Sequence, residues 1–382
     1  MSQSVMPPDE TQATSNPAPA FLPRARMQEL LQHLEDAGFA CIGPTVREGA
    51  IAYQRLRSAS ELPAGMSDEQ TPGSYRIRVT GSARQFAWAN GPQALKPLLF
   101  APRETLWRAT RQSDGTLCFA SAVTAQMPLA VIGVRACDLA ALALQDRHFL
   151  LGAHPDPCYA ARRKDLFVVA VHCSHPASTC FCSSTGDGPR AAGGYDIALA
   201  ELDEGFVATA GSPRGEAILA ALRPAPANAE QLAAVEVQSE QAIAAQSRTL
   251  PGRDLRAALF ANLEHARWQD VSQRCLSCGN CTSVCPTCFC HSEMDVPQLD
   301  GGSSEHLREW DSCFTRGHSY IHGLTIRPDT RTRYRQWLTH KLGSWHEQYG
   351  RSGCVGCGRC ISWCPVGIDI TEEAGAICSS QK

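Results

Sequence analysis

The sequence has no apolar run approaching the roughly 20 consecutive residues that cross a bilayer, so no membrane-spanning helix is expected. Neither sign of charge prevails. The 35 lysines and arginines stand against 38 aspartates and glutamates, and the net charge of −3 offers no basic field for nucleic acid. Phosphate-loop and zinc-protease signatures are missing too: there is no G-x-x-x-x-G-K-[ST] loop and no H-E-x-x-H helix. The single match to G-x-G-x-x-[GA], Gly186 to Ala191, contains Pro189 and opens no helix after a strand, which excludes it as a dinucleotide site. No nickel-type pair of C-x2-C motifs lies near opposite ends of the chain. Residues 1–20 lack the apolar core of a signal peptide and a twin arginine; rich in Pro, Ser, Gln and Thr, they read as a disordered tail.

Cysteine, by contrast, is abundant: 19 in 382 residues, far beyond ordinary packing needs. A secreted disulfide framework is a poor explanation for a chain of this size without a leader, so the expected setting is the reducing cytoplasm. Eight of the cysteines fall in two matched frames, RCLSCGNCTSVCP at 274–286 and GCVGCGRCISWCP at 353–365. Each is C-x2-C-x2-C-x3-C-P, the bacterial iron–sulfur run. Three thiolates at two-residue gaps can curl round one cube of iron and sulfide. Gly279, Gly356 and Gly358 allow the tight loop, and Pro286 and Pro365 turn the chain away. In such runs the fourth cysteine reaches across to the other cluster. Cys275, Cys278, Cys281 and Cys364 are therefore expected to hold one 4Fe–4S cluster, and Cys354, Cys357, Cys360 and Cys285 a second. Paired zinc knuckles explain two C-x2-C steps but not the third step, the three-residue gap and the proline, each found twice. The C-x3-C-x2-C spacing of Cys281, Cys285 and Cys288, similar to that of radical S-adenosylmethionine enzymes, is embedded in the longer run and absent from its second copy, and is read as coincidence.

Upstream, 24–39 is an amphipathic helix with Met27, Leu30, Leu31 and Leu34 on one face. Short strands are expected near 50–57, 74–80 and 85–89. Two continuous apolar runs, 129–134 and 166–172, read as buried parallel strands joined by a helix over 139–151 that Asp138 caps. Cys137 and Cys173 then lie just past the carboxyl ends of adjacent strands, the edge where open α/β sheets bind ligands. With Cys180 and Cys182 of the following loop they form a candidate third 4Fe–4S site. Phe181 would shield it, and Arg135, Arg162 and Arg163 would offset its charge. Zinc at these four thiols, or plain packing of reduced thiols, are the alternatives. Such a third cluster is expected away from the ferredoxin-type pair. Cys41, Cys118, Cys158 and Cys378 are expected in packing roles; Cys288, Cys290 and Cys313 have no assigned role, and His172, His175, His291 and His318 stay unassigned.

These readings divide the chain into a tail (1–20), an α/β domain with a small parallel β-α-β core (21–222), a linker and helix (223–250) and an α-helical dicluster ferredoxin domain (251–382). Helix is expected at 252–270, and the insertion at 291–353 is expected to be largely helical. The cations at 327–351 are expected on a solvated helix face, with charge compensation for clusters or docking of an acidic partner as the functional reading. Electron carriers without a visible substrate site point to a wire between other subunits.

With these residues in view, the chain resembles the beta subunit of cytosolic sulfhydrogenases, the NAD(P)-linked nickel–iron hydrogenases, and the related electron-transfer subunit of anaerobic sulfite reductase. The matching pieces are GVRACDLAAL (133–142), DPCYAARR (156–163), HCSHPASTCFCSSTGDGP (172–189), RCLSCGNCTSVCPTCFC (274–290), WDSCF (310–314) and CVGCGRCISWCP (354–365). Cys158 stands where an aromatic residue is expected, and RGHSYIHG (316–323) matches a Gly-His-Asn stretch only loosely. The resemblance implies a cytosolic, non-catalytic electron-transfer subunit. Its partners would be an FAD- and NAD(P)-binding flavoprotein and either the small and large subunits of a nickel–iron hydrogenase or the catalytic subunit of a sulfite reductase. A zinc-stabilised interaction module is the reading from a different class.

Overall fold

The computed structural model describes residues 18–123, 127–252 and 254–379, so the expected tail lies outside the described residues up to position 17. From there an eight-stranded sheet carries the N-terminal half. Its spatial order is β12 (Ala225–Pro226), β1 (Ala20–Pro23), β11 (Gly205–Ala210), β10 (Ile197–Glu201), β9 (Phe167–Val171), β8 (Leu129–Val134), β2 (Ala40–Arg47) and β3 (Ala50–Arg55). The centre is parallel, β2 to β8 to β9 to β10, and both flanks are antiparallel. The two apolar runs lie at this centre because both of their faces are covered. Ile132, Val169, Val171 and Leu199 pack on one face with Leu30 and Leu34 of the helix Met27–Asp36. Val131, Val168, Ala170 and Ala198 alternate to the other face, against Leu139, Leu142 and Phe149 of the helix Ala136–Leu150. Gly133, at φ +87°, sits in a register shift of β8; a Cβ there would approach the Phe86 ring at 3.1 Å and Pro44 at 3.2 Å.

Two further sheets connect this half to the rest. β4 (Met66–Thr71) and β5 (Ser74–Val79) form a hairpin whose turn residue Gly73 donates its N–H to Ile361 O at 3.1 Å. The second is four-stranded, in the order β13 (His291–Pro297), β14 (Ser303–Trp310), β6 (Arg103–Arg111), β7 (Leu117–Ser121). Its outer pairs come from opposite halves of the chain. The His306 ring stacks on Trp107 with centroids 4.6 Å apart, and buried Arg308 pairs with Glu104 at 2.5 Å and with Asp156. Beyond β14 the helices Thr330–Thr339 and Trp345–Tyr349, with a π-helical turn between them, pack with Leu255–Ala261, Arg267–Arg274 and Ile370–Cys378. Their core holds Trp268, Tyr334, Trp337, Leu338 and Ile377.

Several expectations are corrected. Residues 85–89 form no strand; Phe86 and Trp88 are instead buried in bends that fix the Arg135 guanidinium, which donates to both of their carbonyls at 2.8 Å. The insertion begins as the β13–β14 hairpin rather than a helix, because its exposed strands are polar and are completed by β6. The stretch 252–270 divides into two helices. Ala225 and Pro226 extend the sheet, and the following helix, Ala229–Ala244, packs Val235 on Ala200 and Val207. Cys41, Cys158 and Cys378 are buried, but Cys118 is exposed on β7. Among the described residues no helix is long and apolar enough to cross a membrane.

Candidate iron–sulfur sites

Each cysteine frame is a loop followed by one turn of helix, Asn280–Ser283 in the first and Arg359–Ser362 in the second. Gly279 (φ +77°), Gly356 (+62°) and Gly358 (+72°) make the reversal. Backbone N–H groups then turn toward sulfur: Ser277 N to Cys275 Sγ and Gly356 N to Cys354 Sγ, each at 3.5 Å, and Ile368 N to Cys364 Sγ at 3.3 Å. An apolar cavity collects Cys275, Cys278 and Cys281 with Cys364 and Cys360 of the other frame, under Tyr334 and Trp337. The thiols of Cys354, Cys357 and Cys360 each lie within electrostatic reach of Cys285. The frames are thus interleaved in space.

Burial raises most of these thiols, Cys354 to about 12 and Cys281 and Cys360 well above the ordinary range. Cys285 is the exception. A hydrogen bond from Cys288 pulls it well below the usual thiol value despite burial, aided by the Lys341 ammonium and the Thr287 hydroxyl. Lys341 is itself buried and donates to Thr287 Oγ1 at 2.8 Å, and Thr287 Oγ1 lies 3.2 Å from Cys285 Sγ. The cations expected on an open helix face are instead distributed: Arg331 and Arg335 pair with Glu264, Arg351 with Asp187, and Arg333 is buried on backbone carbonyls. Soft thiols in apolar, buried settings with N–H donors around them fit iron–sulfur clusters.

The third set also converges. Cys137 opens the helix after β8, and Cys173 follows β9 by two residues. Cys180 lies within reach of Cys173 and Cys182, and Cys182 of Cys137. Asn90 Nδ2 donates to Cys137 Sγ at 3.7 Å and Gln246 Nε2 to Cys182 Sγ at 3.5 Å. The site does not lie away from the ferredoxin-type pair. Cys357 is within reach of Cys137, Cys180 and Cys182, and Phe181 N donates to Gly356 O at 2.8 Å. A Cβ on Gly356 would come within 2.5 Å of Cys182 Cα, and one on Gly358 within 2.5 Å of Thr179 O, so both glycines are needed where the loops meet. Phe181 is fully buried in the C-terminal core. Phe181→Ala should cost about 3–5 kcal/mol, read as a lower thermal midpoint; an unchanged midpoint would mean that this ring does not pin the loop.

Charge at the third site comes from a different source than expected. Arg135 lies beside Cys173, but Arg162 pairs with Glu104 and Arg163 with Asp146. Asp138 does not cap its helix, whose N-cap is Arg135 with no side-chain bond. Asp138 accepts from Arg359 at 2.9 and 3.1 Å and from Asn90 at 2.7 Å, with Arg359 wholly buried between Cys357 and Cys360 in sequence. Asp138 lay within the GVRACD segment and Lys341 within the cation-rich stretch, but nothing local marked either as buried beside thiols.

Among the described residues no three or more His, Cys, Asp or Glu side chains are placed to hold a metal ion. Ligands of one zinc ion sit about 2.3 Å from it, whereas thiolates round a cube are spread wider.

A family model described as a 4Fe-4S dicluster domain matches residues 274–368. Sulfhydrogenase 2 subunit beta of Pyrococcus furiosus is 29% identical over 322 residues, covering 83% of this chain and 92% of that protein. No solved structure matches.

Proposed function

From this likeness to a 4Fe–4S dicluster domain and to a sulfhydrogenase beta subunit, we propose that the chain is the electron-transfer subunit of a multisubunit oxidoreductase. It relays electrons between a flavoprotein that handles NAD(P)H and a nickel–iron hydrogenase module. A 4Fe–4S cluster supplies one-electron storage and release. The C-terminal cluster domain is of the helical ferredoxin kind with an added hairpin.

One observation carries the reading: the thiol sets adjoin in a row. Cys137, Cys173, Cys180 and Cys182 abut the set of Cys354, Cys357, Cys360 and Cys285 through Cys357. That second set abuts Cys275, Cys278, Cys281 and Cys364 through the neighbouring thiols of Cys360 and Cys281. At the far end Cys278 is exposed, beside exposed Leu276 and Val366. A row of buried and half-buried cysteines ending at one exposed cysteine suits passage from partner to partner. The polypeptide's part is to keep water out with Phe181, Tyr334 and Trp337 and to place Lys341 and Arg359 against the anionic thiolates.

Purified alone, the chain should be reduced by dithionite but not by NADH or NADPH, since the sequence shows no nucleotide-binding motif. Addition of its flavoprotein partner should make reduction nucleotide-dependent, followed by bleaching of the iron–sulfur absorbance. Direct reduction by NADH without flavin would defeat the relay reading.

A further inference from the structure

Asp329 caps the helix Thr330–Thr339 by accepting from Thr332 N, and a three-residue spacing sets Tyr334 and Trp337 on one face of it. Both residues are buried, at 2% and 5% exposure. The Phe314 ring packs on both, with centroids 6.3 Å from Tyr334 and 6.0 Å from Trp337, and the two rings lie 5.5 Å apart. Trp268 backs Tyr334 at 6.3 Å. Packing thus fixes both rings, and both line the cavity that holds Cys275, Cys278, Cys281 and Cys364.

Each ring carries one polar atom, and neither Tyr334 Oη nor Trp337 Nε1 has a hydrogen-bond partner although both atoms are buried. The other buried tryptophans and tyrosines are all satisfied. Trp88 Nε1 donates to Gln85 O and Trp268 Nε1 to Asn262 O, both at 2.8 Å. Trp345 Nε1 donates to His340 Nε2 at 3.1 Å, and Tyr159 Oη to Asp146 Oδ1 at 2.7 Å. A further unpartnered ring donor, Trp363 Nε1, belongs to a half-buried residue that does not line this cavity. A buried donor without an acceptor is costly, and phenylalanine at either position would carry no such cost. Apart from exposed Asn280, the cavity offers these donors only apolar side chains and cysteines. Sulfur is the acceptor that suits them.

We propose that Tyr334 Oη–H and Trp337 Nε1–H donate hydrogen bonds to the sulfurs of a 4Fe–4S cluster at Cys275, Cys278, Cys281 and Cys364, and so set its reduction potential. The inference rests on the reading of those four cysteines as cluster ligands. One-electron reduction adds negative charge that is shared by the sulfurs, and donors already held in place favour the reduced form. Hydrogen bonds to sulfur are among the factors that set cluster potentials. No lysine or arginine lines this cavity. Two neutral ring donors therefore do here what the buried cations Lys341 and Arg359 do beside the Cys354 set.

The test is a reductive titration of the anaerobically purified full chain with dithionite, followed by electron paramagnetic resonance. The signal of this cluster is the one that Cys275→Ser abolishes. Tyr334→Phe removes the hydroxyl alone and keeps the ring, so it should retain all the iron. At a given potential its ratio of reduced to oxidised cluster should fall about threefold to tenfold. At about 59 mV per tenfold, that is a midpoint about 28–59 mV more negative. Trp337→Phe should shift the same signal in the same direction, and the double variant should shift it further. In protein exchanged into deuterium oxide, electron–nuclear double resonance should find a deuteron coupled to this cluster that is missing from Tyr334→Phe. A purely structural role for the ring would leave both readouts unchanged in that variant. If Trp337→Phe loses iron, Tyr334→Phe decides. A fully loaded Tyr334→Phe with the wild-type midpoint and the wild-type deuteron coupling would overturn the assignment and leave the relay reading standing. A wild-type protein with no signal that Cys275→Ser abolishes would overturn the cluster reading itself.

Discussion

Arg359→Met should destabilise the protein by about 3–5 kcal/mol, because it strands a buried carboxylate. Asp138 and Arg359 each expose 1% of their side chains, and their paired bonds are supplemented by Arg359 Nε to Gly91 O at 3.0 Å. Burial works to discharge the guanidinium, but Asp138 and the thiols of Cys357 and Cys137 outweigh it and hold its pKa well above the usual value. The double variant Arg359→Met, Asp138→Leu should recover much of the loss, since a well-packed apolar pair can replace a buried ion pair at little cost. The melting midpoint of anaerobically purified protein separates the cases. If the single variant melts with the wild type, the pair is not the clasp between the two halves. The single variant carries a further expectation: with the cation next to Cys357 and Cys137 gone and the Asp138 carboxylate left behind, nearby clusters should become harder to reduce, and each tenfold shift in the reduced fraction corresponds to about 59 mV.

Cys180→Ser with Cys182→Ser should abolish nucleotide-dependent transfer through the proposed relay while removing about four irons. The effect should be close to total, since the third thiol set stands at one end of the row. Because Cys182 packs on Gly356, the remaining clusters should also show an altered signal from the Cys354 set. Retention of all iron, or full nucleotide-dependent transfer in this variant, would remove the third set from the relay.

The central strands were legible because a strand buried on both faces must be apolar throughout, and LAVIGV occupies β8 to the residue. The cysteine frames were legible because their chemistry is local. What was not legible depends on partners distant in sequence. HSEMDVP and SSEHLREW are polar and look like loop or helix; their strand character comes from β6, far upstream. Asp138 has the residue type and position of a cap, but Arg135 already holds the extended geometry of an N-cap, at φ −86° and ψ 158°. Its carboxylate is thereby available to Arg359. Lys341 lies in a stretch whose cations suggested a solvated face, and the thiols of Cys285, Cys288 and Cys354 and the Trp345 ring, brought in by folding, explain a charged lysine inside the protein. The placing of the third thiol set against Cys357 likewise needed both halves at once.

The sheet shared between the halves also dictates an order of assembly. Arg308 and Glu104, which pair across it, stand 204 positions apart. Contacts of such separation form late and slowly, since a long loop must close before any of them is gained. During synthesis the eight-stranded sheet is complete once residue 226 has emerged, whereas β6 and β7 remain a bare hairpin with an open edge. That edge is protected only when β14 arrives, after the first cysteine frame has been made and before the second. A nascent chain stalled between the two frames would therefore present an unpaired strand and unfilled thiols together, the state in which such a protein is most exposed to aggregation.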